Sequence, residues 1–307
     1  MKKILITGGT GLIGTVLSRL LRSKGFEVSH LSRRANPNAE FPAYRWDLES
    51  QTIYGDIVEQ ADAIIHLAGA SLVDKRWTES YKKVILDSRT KSLQLIHKYI
   101  KKRSRPLKTL VSASAVGFYG DAGDRWLEED APPAPPQSDD FKSLCCVLWE
   151  EAAKALEPDV GRLAIIRVGI VLSTKGGALE KIAMSFKARV GSYFGDGQAY
   201  YPWIHIDDMA RMFAYAVEQE NVTGIYNGVA PNPVTNKEFV QTIPKALDIK
   251  AAIVPTPEIA IKLAMGEMAT VVLHSNRVSA QKIQQSGFVF DHQELLPALK
   301  DVFEREV

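Results

Sequence analysis

The 307-residue sequence holds only two cysteines, Cys145 and Cys146. Adjacent residues on one helical segment point their side chains apart, so the pair offers neither a disulfide framework nor a metal-ligand spacing, and two buried reduced thiols are expected. An excess of charge of one sign is also missing. The 38 lysines and arginines against 36 acidic residues leave a formal charge of +2, too little to attract nucleic acid or an anionic membrane. No apolar run reaches the roughly 18 residues that span a bilayer, and the opening stretch Ile4, Leu5, Ile6 stops at once in glycines, unlike a signal peptide. The six histidines are scattered, with no HExxH pair and no cluster with cysteine or carboxylates, so no metal site is expected. These absences point to a cytoplasmic protein whose partner is a small molecule. Its 46% hydrophobic and 24% charged content can bury the core of one large domain or two modest ones.

Apolar strands alternate with helical patterns along the chain. Residues 3–7 read as a short strand, glycines follow, and residues 12–24 carry apolar positions at helical spacing until Gly25 closes the helix. Further strands are predicted at 27–31, 63–67, 107–112, 163–172 and 225–229, with helices at 80–101 and 143–156. The near-continuous apolar character of 163–172 fits a strand buried on both faces. This alternation specifies an α/β fold with a doubly wound parallel sheet. Two segments depart from it: 175–201, rich in glycine and aromatics, and the stretch after Pro231, with predicted helices at 236–247 and 257–263. The expected organisation is a Rossmann domain of residues 1–174 and 202–232 with a smaller substrate lid of residues 175–201 and 233–307. Proline-rich 131–136 can be neither helix nor central strand, and is either a ligand-facing loop or a surface connector. The basic run Lys101, Lys102, Arg103, Arg105 ends a helix, where cations suit the dipole, and is given no nucleic-acid role.

The segment Thr7-Gly8-Gly9-Thr10-Gly11-Leu12-Ile13-Gly14 follows the first strand and opens the first helix. In that context Gly8 allows the tight turn, Gly11 lets a pyrophosphate approach the backbone, and Gly14 lets the helix pack closely while its first amides face the phosphates. The second strand ends Leu31-Ser32-Arg33-Arg34, about 20 residues on, where NAD-specific proteins place an acid on the ribose. A hydroxyl and two guanidiniums there suit a 2′-phosphate and hence NADP(H); the alternative is ordinary solvated surface charge. Substrate is expected between the sheet's carboxyl edge and the lid, near the loop 71–77 from Ser71, the turn after Ser114, and residues 193–203. Trp77, Tyr193, Tyr201 and Trp203 there could stack on a ring or sugar, or pack in the core.

These residues resemble the extended short-chain dehydrogenase/reductase superfamily, which includes sugar-nucleotide epimerases and dehydratases and shares this G-x-x-G-x-x-G spacing. Within the resemblance, Asp47-Leu48 is similar to an adenine-contacting pair, His66-Leu67-Ala68-Gly69 to a cofactor motif after a strand, and Ser112-Ala113-Ser114 to active-site serines on the fifth strand. Ser88-Arg89, Gly176-Gly177-Ala178-Leu179, Gly195-Asp196-Gly197-Gln198 and Pro202-Trp203-Ile204-His205-Ile206-Asp207-Asp208 resemble an atypical epimerase-like subgroup, sometimes labelled cell-division-inhibitor-like. The resemblance implies an NADP(H)-binding oxidoreductase acting on a small substrate such as a sugar nucleotide, with a homodimer as the commonest default.

Active members of that superfamily pair a tyrosine with a lysine four residues later, the lysine lowering a phenol pKa of about 10 toward neutrality. Here the helix reads Asp140-Phe141-Lys142-Ser143-Leu144-Cys145-Cys146, without the tyrosine and without a lysine at that offset. Either another group moves the proton, or the chain binds NADP(H) without turnover, as a sensor or regulatory protein. Ser114 and Tyr119, which follow the strand that carries the serine in relatives, are the candidate catalytic pair. His205 with Asp207 is the alternative, although 203–208 also reads as a hinge tying the lid to the sheet.

Overall fold

A computed structural model describes residues 2–135 and 140–305. Its centre is an eight-stranded sheet whose strands, in chain order, are β1 (Lys3–Thr7), β2 (Glu27–Ser32), β3 (Ala43–Asp47), β4 (Thr52–Ile53), β5 (Ala63–His66), β6 (Thr109–Ala115), β7 (Leu163–Val168) and β8 (Gly224–Gly228). The spatial order is β8-β7-β6-β5-β1-β2-β3-β4. All neighbours are parallel except β3 and β4. The direction of winding reverses between β1 and β5, so the crevice beyond their carboxyl ends is the switch point at which such sheets bind ligands. The fold is the expected doubly wound parallel sheet.

Strands β1, β5 and β7 are largely apolar runs, and they and the serine-bearing β6 are buried because helices cover both faces. The long helices Leu12–Ser23, Glu79–Ile100, Phe141–Lys154 and Ile206–Glu218 supply those covers. Side-chain oxygens of Thr78 and Asp140 cap two of them: Thr78 accepts from the Tyr81 amide, and Asp140 from those of Lys142 and Ser143. A capping box of Thr235 and Glu238 starts a further helix, Asn236–Ala246.

One predicted strand is corrected and two unpredicted strands are added. The single strand 163–172 is broken: β7 ends at Val168, and Ile170–Leu172 leaves the sheet to pair in parallel with Trp203–His205. The break falls at Gly169, where a Cβ would sit 2.3 Å from the Pro202 carbonyl oxygen, so only glycine lets the two chains cross this closely. Strands β3 and β4 had not been predicted. Their short, mixed runs bury only Ala43, Trp46 and Ile53, too few positions to show a period. Residues 131–135 form neither helix nor strand, and the remaining proline of that tract, Pro136, lies outside the described residues.

The buried apolar side chains form two cores. The larger surrounds the sheet and takes in Val278, Ala280, Ile283, Phe288 and Phe290 from late in the chain. The smaller is built from Leu172, Leu179, Phe186, Tyr201, Trp203, Phe239, Ile243, Leu295, Leu299 and their neighbours. Among the described residues, no helix is long and apolar enough to cross a membrane.

Candidate functional site

At the end of β1 the chain makes a tight turn with Gly8 at φ +71° and the Gly11 amide donating to the Gly8 carbonyl at 3.0 Å. A Cβ on Gly8 would meet the Leu67 carbonyl at 2.8 Å, and one on Gly14 would sit 2.3 Å from the Gly8 oxygen. One on Gly9 would strike the His30 ring, which is buried beneath the turn and linked to Ser18 Oγ at 2.8 Å. The glycines therefore make a cradle that side chains would fill. The helix Leu12–Ser23 begins beside it with Gly11 at its N-cap and no side-chain cap, so its first amides, including those of Leu12 and Ile13, are open to an anion. Thr10 is exposed at the rim.

The neighbouring loop is tied to this turn, since the Ala68 amide donates to Thr7 Oγ1 at 3.1 Å and the Ala70 amide to Ser88 Oγ at 2.9 Å. Arg89 is buried under Gly69, where a Cβ would lie 3.0 Å from the guanidinium carbon. Its Nη1 donates to the Ile85 carbonyl, and its plane lies over the Trp149 ring, 4.9 Å from the centroid. Ser32 ends β2 half-buried, while Arg33 and Arg34 are exposed beyond it. Asp47 ends β3, and its carboxylate accepts from the Glu49 and Ser50 amides, which hold its pKa below the usual carboxylate range. Leu48 beside it packs on the larger core. Thus β1, β2, β3 and β5 bring most of the expected cofactor residues to one edge of the sheet. Ser112 is different: it is fully buried within β6, and its hydroxyl donates to the Ala113 carbonyl.

The expected catalytic pair is not open to a cleft. Ser114 and Tyr119 are only 1% and 3% exposed. Ser114 Oγ donates to Glu150 Oε1 at 2.8 Å, and Glu150 is held by Arg167 through Nε to Oε1 at 2.7 Å and Nη2 to Oε2 at 3.0 Å. Arg167 Nη1 donates to the Tyr119 hydroxyl at 2.9 Å, and that hydroxyl faces Asn227 Oδ1 at 2.7 Å and the Glu128 carbonyl at 3.1 Å. A phenol has one proton to give, and both acceptors for it lie inside the protein. Burial raises the phenol's pKa further, against the pull of Arg167. The two hydroxyls belong to one buried network that ties β6, β7 and β8 to the helix Phe141–Lys154. Glu150 and Arg167 went unnoticed in the sequence, although a lone arginine in the apolar run Leu163-Ala164-Ile165-Ile166-Arg167-Val168 is a signal of a buried partner.

The expected substrate residues divide in the same way. Trp77 is half-buried, donates from Nε1 to the Leu72 carbonyl, and meets Phe141 edge-on at 5.2 Å. Ser71 is half-buried and its carbonyl accepts from the Tyr81 hydroxyl. Tyr193 is half-buried, with Lys237 over its ring. Tyr201 and Trp203, by contrast, lie inside the smaller core, 4% and 1% exposed. Their polar atoms donate to the carbonyls of Val272 and Asn232, so they pack rather than stack on a ligand.

A cluster absent from the linear sequence forms where His205, His292 and Asp301 meet. His205 Nδ1 accepts from the Asp207 amide, which fixes the neutral tautomer with the proton on Nε2, 3.0 Å from Asp301 Oδ2. The two imidazoles stack at 3.7 Å with planes 18° from parallel, so their in-plane lone pairs do not converge on one point and no metal role is assigned. The cluster fastens the helix Leu295–Glu304 to the 203–208 junction, and places His205 in a structural contact rather than at the cleft.

Comparison with known proteins agrees with this geometry. Residues 4–227 match the profile of the NAD dependent epimerase/dehydratase family, and residues 256–302 match a domain of unknown function, DUF1731. The human epimerase family protein SDR39U1 is 34% identical over 98% of this chain and 99% of its own length. The epimerase family protein SAR0825 of Staphylococcus aureus is 33% identical over 99% of this chain and 100% of its own. A crystal structure of human SDR39U1 with NADPH superposes with a TM-score of 0.88, covering 98% of this chain and 99% of that one at 33% identity. With its glycine turn, its sheet order and these likenesses, the chain belongs to the NAD dependent epimerase/dehydratase family.

Proposed function

We propose that the protein binds NADP(H) and catalyses hydride transfer between it and the carbonyl or hydroxyl carbon of a small substrate, with sugar nucleotides among the candidates. The observation that carries this reading is the glycine cradle at the switch point, with an uncapped helix N-terminus beside it and Arg33 and Arg34 just beyond β2. Glycines without room for a Cβ and open helical amides fit a pyrophosphate, and the arginines fit a 2′-phosphate. The structure of the human relative was solved with NADPH. Arg89, Ala68 and Gly69 would border the nicotinamide half, and Asp47 and Leu48 the adenine half.

Residues 1–174 and 202–232 act in this reading as the cofactor unit. The segments around the smaller core act as the lid, with Ser71, Trp77 and Tyr193 facing substrate. Ser114 and Tyr119 position the Glu150–Arg167 pair rather than touch the reacting atoms. The free thiols of Cys145 and Cys146 suit a reducing compartment, and the cytoplasm is the location proposed. The test is calorimetry with NADPH on the wild type and on Gly14→Ala, followed by a screen of carbonyl compounds for NADPH oxidation. Binding that the added methyl abolishes, together with turnover of at least one compound, is the expected result. Tight binding with no turnover across the screen would instead favour a sensor. That second reading is supported by the missing tyrosine and the fully engaged Tyr119 hydroxyl.

A further inference from the structure

Among the described residues, Lys142 is the one lysine that is almost entirely buried, at 7% exposure. It is the second residue of the helix Phe141–Lys154, and its stem crosses the turn after β6 so closely that a Cβ on Gly117 would lie 2.7 Å from its Cγ. That turn lies at the carboxyl edge of the sheet, where ligands of this fold sit. The Nζ then reaches the segment from Thr270 to His274, 3.3 Å from the Thr270 carbonyl and 3.2 Å from His274 Nδ1. Asp140 Oδ2 stands 3.4 Å from the same His274 nitrogen, on a side chain 4% exposed, and has no other hydrogen-bond partner among the described residues. Phe141, the residue before Lys142, meets the Trp77 ring edge-on.

We propose that Lys142, with His274 and Asp140 behind it, is the proton donor and acceptor of this site, the role left vacant by the absent tyrosine. This rests on the hydride-transfer reading above. Two residues 132 positions apart share one nitrogen with a carboxylate: His274 Nδ1 can accept from the Lys142 ammonium or donate to Asp140, but not both at once. A proton therefore has two resting places a short hop apart. Burial lowers the Lys142 pKa, which moves an amine toward the range where it can give and regain a proton near neutrality. Asp140, Cys146 and Asp121 act in the opposite sense and keep the ammonium form accessible. For Asp140 itself burial works to raise the carboxyl, but His274 and Lys142 outweigh it and hold it below the usual range. The nearby Glu267 does not compete, since Lys82 already holds it at 2.6 Å.

Bound NADPH supplies the hydrogen and electron pair to the carbonyl carbon and is left as NADP+. Lys142 Nζ gives its proton to the oxygen as the carbon–oxygen π bond becomes an O–H bond, and the neutral amine regains a proton from solvent through His274. In the oxidising direction the neutral amine takes the hydroxyl proton.

The test does not depend on knowing the substrate. Trace labelling with acetic anhydride across pH 6 to 11, read by peptide mass spectrometry with surface lysines as internal standards, gives the Lys142 titration with and without NADP+. The expected midpoint lies below those of the surface lysines in the same sample, as burial requires, and Asp140→Asn moves it lower still. A Lys142 that titrates with the surface lysines, or that takes no label because the cleft does not reach it, overturns the proposal. In parallel, Lys142→Met should lower the reduction of any carbonyl probe that the wild type accepts by about 10² to 10⁴. Its NADPH affinity, measured by calorimetry, should stay within about twofold. Unchanged turnover also overturns it. Failure of the wild type to bind NADPH would instead defeat the underlying functional reading, so the two failures are separable.

Discussion

Arg167 grips Glu150 with two parallel hydrogen bonds, at 2.7 Å and 3.0 Å, and neither side chain is more than 2% exposed. Removing one partner strands the other as a buried charge, which costs about 3–5 kcal/mol, whereas replacing both with apolar groups of similar volume is often close to neutral. Glu150→Ala should lower stability by that amount in urea unfolding. The double variant Glu150→Leu with Arg167→Met should recover most of it. A double variant as unstable as the single one would show that the pair does more than satisfy its own charges.

Tyr119→Phe separates the structural from the catalytic role of that phenol. Deletion of the hydroxyl leaves Arg167 Nη1 and Asn227 Oδ1 each one partner short in a buried site, a loss of about 1–3 kcal/mol. The expected variant is less stable and binds NADPH as the wild type does. A fall of about 100-fold or more in turnover at unchanged stability would restore Tyr119 to the chemistry.

Acid should weaken the fold through His66. Burial, with Arg89 nearby, pushes its pKa down to about 3. Its Nε2–H donates to Ser92 Oγ, whose own proton goes to the Arg89 carbonyl, so the ring is held neutral. In the unfolded chain the imidazole titrates near its ordinary value of about 6.5. The folded pKa is the lower one, so the contribution is fully present above pH about 6.5 and is lost as pH falls toward the folded value, at about 1.4 kcal/mol per pH unit. His66→Gln should flatten that slope between pH 6.5 and 5, measured by urea midpoints. An identical slope in the variant would remove His66 as the cause.

The parts of the molecule legible in the sequence are those written in local spacing. The Gly8–Gly14 turn follows a strand and opens a helix within a dozen residues, and the strands β1, β5 and β7 announce themselves as apolar runs. The break at Gly169 was hidden because its cause, the Pro202 carbonyl, comes from a distant part of the chain. For the same reason the sequence shows neither the contact of Lys142 with His274 nor the stacking of His205 on His292. Ser114 and Tyr119 were placed in catalysis by their position after β6. That position is as expected, but the direction of a side chain depends on its partners, and Glu150 and Arg167 draw both hydroxyls inward.

The edge formed by β1 and β2 should take a dinucleotide carrying a 2′-phosphate. Calorimetry of NADPH against NADH, on the wild type and on Arg33→Ala, tests it most directly. NADPH should bind at least about tenfold more tightly to the wild type, a difference of about 1.4 kcal/mol, and Arg33→Ala should erase most of that preference while leaving NADH affinity unchanged. Equal affinities of the wild type for the two cofactors would contradict it.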